Sequence, residues 1–94
     1  LRAERLRIRA RLLASRDDPS AAAAFDAATK ALRDLGSPYH LAVGLLDQSE
    51  FLQSTDERAA AAVLGTEAVV IARRLHAEPL IQRAGKLVGA LAVT

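Results

Sequence analysis

The chain has 94 residues, 26% of them charged and 51% hydrophobic, with a formal net charge of +2 and no Cys, Met or Trp. That length holds one domain. Without Cys there is no disulfide framework, thiolate metal site or cysteine nucleophile. Three aromatic residues (Phe25, Tyr39 and Phe51) are too few for a platform that stacks single-stranded nucleic acid. No apolar run reaches the roughly 18 residues of a membrane span, and no stretch resembles a signal peptide.

Alanine is the commonest residue, with 21 copies. It forms helix best because it loses no side-chain entropy and buries no polar group. Glycine and proline fall between the apolar stretches, and no segment alternates as a strand does. The expected fold is all-α. A chain that starts at Leu1 and contains no Met is read as a piece of a longer protein.

The elements follow from the punctuation. Residues 1–15 form the first helix. Asp18 caps a second, with Pro19 at its first position, where a missing N–H costs nothing. This helix runs over 19–35 and stops at Gly36, suited to the left-handed position after a helix. Ser37 and Pro38 repeat the cap and proline, and the third helix covers 38–53. Thr55 or Asp56 caps a fourth over 57–75. His76 follows it, near its negative C-terminal dipole. The fifth covers 79–91. Short connections make consecutive helices antiparallel neighbours.

The pattern recurs. The stretch from Asp18 to Ala24 matches that from Asp56 to Ala62, Leu32–Leu35 matches Ala72–Leu75, and Pro38 and Gly44 match Pro79 and Gly85. A period of roughly 40 residues marks stacked helix pairs. The pairs are 1–36, 37–76 and a partial pair 78–94, within one domain over 1–94. The first helix carries two apolar stripes, Leu1, Ile8 and Leu12, and Ala3, Leu6, Ala10 and Leu13. A helix in a stack needs two, one for its partner and one for the next pair. The fourth helix is apolar almost all round.

These features resemble tetratricopeptide-like repeats. The likeness lies in the segment from Ala31 to Ala42, the run from Leu45 to Leu52, and the stretches Ala68–Leu75 and Pro79–Ala84. It extends to the C-terminal repeat region of bacterial signalling ATPases, which carry adenylate-cyclase-like or LuxR-type domains. The catalytic and DNA-binding motifs of such proteins are absent here. Ala10 and Ser49 stand where a small glycine is common, and Gly65 near the place of an aromatic. The resemblance implies an α-solenoid fragment of about five helices. The first helix of each pair would line a groove showing Glu4, Arg7, Arg11, Leu46, Glu50 and Gln53.

No cluster demands chemistry. His40 and Asp47 share a face but stand two turns, roughly 10 Å, apart, too far for one ion. No serine has a histidine in a nucleophile arrangement, and no glycine loop cradles phosphate. Gly85 and Gly89 suggest close packing of the fifth helix. Arg2, Arg5, Arg9 and Arg16 form a line that could meet phosphates, but the apolar stripes of the same helix argue against it. The expectation is a cytoplasmic, non-catalytic module for protein–protein interaction or interdomain scaffolding in signal transduction or transcription regulation. It needs no cofactor, metal or membrane, and nucleic acid is disfavoured. A small-molecule-binding or nucleic-acid-binding helical domain is the alternative. The fifth helix, if unpaired, would expose Leu80, Leu87, Val88 and Leu91 as an edge for homodimerisation.

Overall fold

A computed structural model describes residues 1–92. Five helices fill them: α1 (Arg2–Ser15), α2 (Ala21–Leu35), α3 (Pro38–Ser54), α4 (Arg58–Arg74) and α5 (Glu78–Ala92). No strand occurs among the described residues. The end of the expected partial pair, residues 93 and 94, lies outside them. Within each pair α1 packs on α2 and α3 on α4, while α2 also packs on α3 and α4 on α5. The helices α1, α3 and α5 also touch in sequence, whereas α2 and α4 make no close backbone approach. The result is two layers, α1–α3–α5 and α2–α4, in a slab of 33 × 30 × 17 Å.

The turns explain much of this. After α1, α3 and α4 the chain passes through Asp17, Asp56 and His76 with φ of 51°, 64° and 52°, and after α2 through Gly36 with φ of 77°. Asp and His are among the non-glycine residues that tolerate this left-handed region best. Following each of the three polar residues, a backbone N–H closes the helix by bonding five residues back: Asp18 to Leu13, Glu57 to Leu52, and Ala77 to Ala72. Asp17 and Asp56 stand 39 residues apart, Gly36 and His76 stand 40 apart. Both spacings are compatible with the repeat.

Two helix starts differ from expectation. Helix α2 begins at Ala21, because Asp18, Pro19 and Ser20 form a tighter turn in which Ala21 N–H bonds the Asp18 carbonyl at 3.0 Å. The Asp18 carboxylate still serves the start, accepting from Ser20 N–H at 2.8 Å. That bond, helped by the Ser20 hydroxyl, holds the Asp18 carboxyl below the ordinary aspartate range. Neither Thr55 nor Asp56 caps α4. Asp56 takes the left-handed position, the Thr55 hydroxyl donates back to the Leu52 carbonyl at 3.1 Å, and Glu57 stands at the cap without a side-chain bond. Ser37 caps α3 as expected, its hydroxyl accepting from His40 N–H.

The core sits between the layers. Leu32, Leu45 and Leu46 are fully buried, and the last two cluster with Ala42, Ala61, Ala68, Ala72 and Ala84, all inaccessible to solvent. Small residues at these contacts let helix axes approach closely, so dispersion contacts accumulate over short side chains. Polar groups inside are paired. The Ser49 hydroxyl donates to the Ala61 carbonyl at 2.6 Å, joining α3 to α4. Between α2 and α3, the Thr29 hydroxyl donates to Gln48 Oε1 at 2.6 Å and Gln48 Nε2 donates to Asp26 at 2.8 Å. No buried side-chain nitrogen or oxygen among the described residues lacks a partner, as burial requires.

The apolar faces of α1, α4 and α5 depart from expectation. Leu80, Leu87 and Leu91 do not form an open edge: each is at most 8% exposed, inside the cluster built by α3 and α4, and Val88 is half-buried. The fifth helix turns its leucines inward because α3 and α4 together offer a face wide enough to cover them. Its outer side is smooth instead, and a Cβ added at Gly85 or Gly89 would meet nothing within 4 Å, so neither glycine marks close packing. Helix α4 leaves Val63 and Val70 exposed. On α1 the stripe Ala3–Leu6–Ala10–Leu13 turns inward, while Leu1, Ile8 and Leu12 stay exposed.

Candidate functional site

The free face of the α1–α3–α5 layer carries a row of five alternating charges. Asp47 of α3 is its centre, with a side chain only 4% exposed. Arg7 of α1 donates from Nη1 to Asp47 Oδ2 at 2.6 Å. Arg83 of α5 donates from Nη2 to Asp47 Oδ1 at 2.7 Å. Each guanidinium then turns its other edge to an outer carboxylate. Arg7 meets Glu4 at 3.2 and 3.3 Å, and Arg83 meets Glu50 at 2.7 and 3.1 Å. The planar fork of arginine permits such double engagement; a lysine ammonium would not reproduce it.

The helices set this spacing. Glu4 and Arg7 are one turn apart on α1, as are Asp47 and Glu50 on α3, so each pair shares a face. The row therefore crosses three helices that are distant in sequence. Its two cations are outnumbered by three carboxylates, leaving one negative charge. For Arg83 the hydrogen bonds that it donates to Glu50 outweigh burial, with Asp47 adding to them, and its pKa rises. Burial acts against the charged form of Arg7, but the bonds to Glu4 and Asp47 outweigh it and raise its pKa as well. Both cations stay charged at any physiological pH.

Of the residues expected in the groove, Glu4, Arg7 and Glu50 belong to this row. Arg11 is exposed beside it on α1 and forms no ion pair among the described residues. Gln53 is half-buried. Leu46 is not a groove residue: it is fully buried among the alanines of α4 and α5. The displacement has a simple cause. The face of α3 turned outward is centred between Asp47 and Glu50, so Leu46, about 100° behind Asp47 on the helix, points into the core. Asp47 and Arg83 complete the row and were not among the expected residues. The sign that could have found Asp47 is its place three residues before Glu50; Arg83 had no comparable local sign.

The other polar features have local duties. His40 pairs with the Ser37 hydroxyl at 2.7 Å through Nδ1, so it is not a partner of Asp47. His76 is exposed at the left-handed turn after α4. Arg33 of α2 and Glu67 of α4 form a two-bond ion pair at 2.7 and 3.1 Å across the gap between the outer helices. Beside it lies a cleft of about 410 Å³ lined by Leu32, Leu41, Ile71 and Leu75, with Arg74 at its side. No group of three or more metal-ligating side chains occurs among the described residues, and no helix there is long and apolar enough to cross a membrane.

No protein-family model matches the chain, and neither a curated protein nor a solved structure matches it.

Proposed function

We propose that this chain is a non-catalytic, tetratricopeptide-like module for protein–protein interaction or interdomain scaffolding, acting within a cytoplasmic bacterial signalling or regulatory protein. The observation that supports it is the charge row Glu4–Arg7–Asp47–Arg83–Glu50. It spans three helices, and its central carboxylate is sheltered while its ends stay open to solvent. Such a row offers fixed charges on a rigid face, where complementarity sets specificity and encounter rate. Arg11 extends the face with an exposed cation. A bound segment would lie across α1, α3 and α5 and match its charges to Arg11, Arg83 and Glu50.

The test is selection of phage-displayed peptides on the 94-residue chain, followed by binding to Glu50→Lys and Arg11→Glu. Both positions are exposed, so helicity should persist. Enriched peptides should lose at least about tenfold in affinity for one of the variants, or roughly 1.4 kcal/mol. Failure to enrich any peptide, or binding to both variants as tight as to the parent chain, would refute the reading.

A small-molecule reading has one observation in its favour, the apolar cleft beside Arg33 and Arg74. A thermal-shift screen of apolar acids tests it; no stabilisation by any of them would leave the cleft as a gap between outer helices.

A further inference from the structure

The exposed face of α1 is the second surface that the fold leaves unexplained. Ile8 is 57% and Leu12 48% exposed, and Leu1 lies in the same stripe. Arg5 borders that stripe, with Arg9 and Arg2 next around the helix, all exposed. Neither Arg2 nor Arg5 makes an ion pair among the described residues. The buried Ala3 and Ala10 mark the opposite side. The face is therefore apolar in the middle and basic along one flank.

The fold itself shows what such a face receives. Buried Ala3 and Ala10 of α1 stand 39 residues before buried Ala42 and Ser49 of α3. In that register Arg5, Arg9 and Leu12 correspond to Gly44, Gln48 and Phe51, while Ile8, the counterpart of Asp47, borders them. Gly44, Gln48 and Phe51 are the seat of α2 on α3. Leu32 lies against Gly44, Thr29 and Asp26 bond Gln48, and the rings of Phe25 and Phe51 stack at 4.8 Å between centroids. The equivalent seat on α1 is uncovered. It differs from the seat on α3 in carrying arginines where α3 has a glycine and a glutamine.

We infer that this edge of α1 docks an amphipathic helix of a partner protein, antiparallel to α1 in the manner of α2 on α3, with acidic residues facing Arg5 and Arg9. The matching seat on α3 already holds a helix, and one fits here with a residue smaller than Leu32 opposite Arg5, which fills the space that Gly44 leaves open on α3. Acidic residues fit because the two positions that meet Leu32 and Asp26 on α3 are cations on α1. A second copy of this chain is a poor occupant: α2 and α4, the helices with the right face, already use it on α3 and α5. Duplex DNA would use the arginines but leave Ile8 and Leu12 against water. The proposal involves a different face from the charge row and does not depend on it.

The experiment is fluorescence anisotropy with a labelled helical peptide about as long as α2, leucine on one face and glutamate on its flanks. A twin with lysine for glutamate is the control. The glutamate peptide should bind the 94-residue chain saturably at about 50 mM salt and more weakly at about 300 mM, as screening shortens the reach of the charges. Arg5→Glu and Leu12→Glu should each weaken it at least tenfold while circular dichroism shows an unchanged fold. The lysine peptide should not bind. No binding of the glutamate peptide, equal binding of both peptides, or no effect of Arg5→Glu would overturn the inference. So would random duplex DNA that binds more tightly than the peptide and responds to Arg5→Glu. A dimer seen by light scattering and abolished by Leu12→Glu would equally overturn it, by assigning the edge to a second copy.

Discussion

Arg7 and Asp47 are 40 residues apart, yet Arg7 Nη1 lies 2.6 Å from Asp47 Oδ2, and this bond is a main link between α1 and α3. The backbones of those helices approach only marginally. Asp47 is nearly inaccessible, so its charge depends on Arg7 and Arg83 for solvation. A buried ion pair stripped of one partner is strongly destabilised, by about 3–5 kcal/mol when no substitute remains. Here a second arginine remains. Arg7→Ala should therefore cost about 1–2 kcal/mol, and so should Asp47→Ala, after which Arg7 and Arg83 keep Glu4 and Glu50 as partners. A double-mutant cycle by urea denaturation should return a coupling of about 1 kcal/mol or above. A coupling below about 0.3 kcal/mol would show the pair to be no better than a solvated surface contact.

Gly44 and Gly85 make opposite predictions from the same substitution. A Cβ at Gly44 would collide with Cδ1 of Leu32, which is itself fully buried and would have to shift toward the cleft that it lines. Overpacking costs typically about 1–3 kcal/mol, against a helix-propensity gain of about 1. Gly44→Ala should lower Tm. At Gly85 a Cβ meets open space, so Gly85→Ala should raise Tm by several degrees, about 4–8 °C per kcal/mol in a domain of this size. Equal shifts in thermal melts would contradict the packing between α2 and α3.

Leu87 and Ile8 separate a core leucine from an edge isoleucine. Leu87→Glu puts a charge into the cluster of α3, α4 and α5 with no partner, and its circular dichroism should show loss of helix or a Tm lower by tens of degrees. Ile8→Glu faces solvent and should stay within about 0.5 kcal/mol of the parent. Soluble, fully helical Leu87→Glu protein would restore α5 as an open edge.

Asp18 carries the pH prediction. Its folded pKa is depressed, so its contribution to stability is complete above the unfolded value near about 3.9 and is lost as pH falls through the folded value. A carbon-detected titration should place its midpoint below that of a free aspartate. The Tm difference between the parent and Asp18→Ala should shrink as pH drops from about 6 to about 2. A gap that persists at the acid end would mean that the carboxylate does not act through its charge.

Much of the architecture was legible along the chain. Ser37 followed by Pro38, and Gly36 after α2, act through bonds and dihedrals within a few residues, so local sequence suffices to read them. The five helices were legible for the same reason, because alanine content and turn residues act locally. The start of α2 and the cap of α4 were not. There, Asp18 and Asp56 could each have served as a cap or a turn residue, and the choice depends on how the preceding helix ends.

What the sequence by itself determined is an all-α chain of five helices, each packed on the next, since propensity, capping and short connections act within each segment. Which stripe of each helix became interior was decided only by the tertiary structure. Helix α1 had two apolar stripes, and α2 claimed the one with alanines because small side chains allow the closer approach. The leucines of α5 turned inward because α3 and α4 jointly cover them, a surface that exists only once both have packed. The charge row is of the same kind. Arg7, Asp47 and Arg83 come from three helices, and no local rule aligns them; the stacking of α1, α3 and α5 in one layer brings their side chains within hydrogen-bond distance.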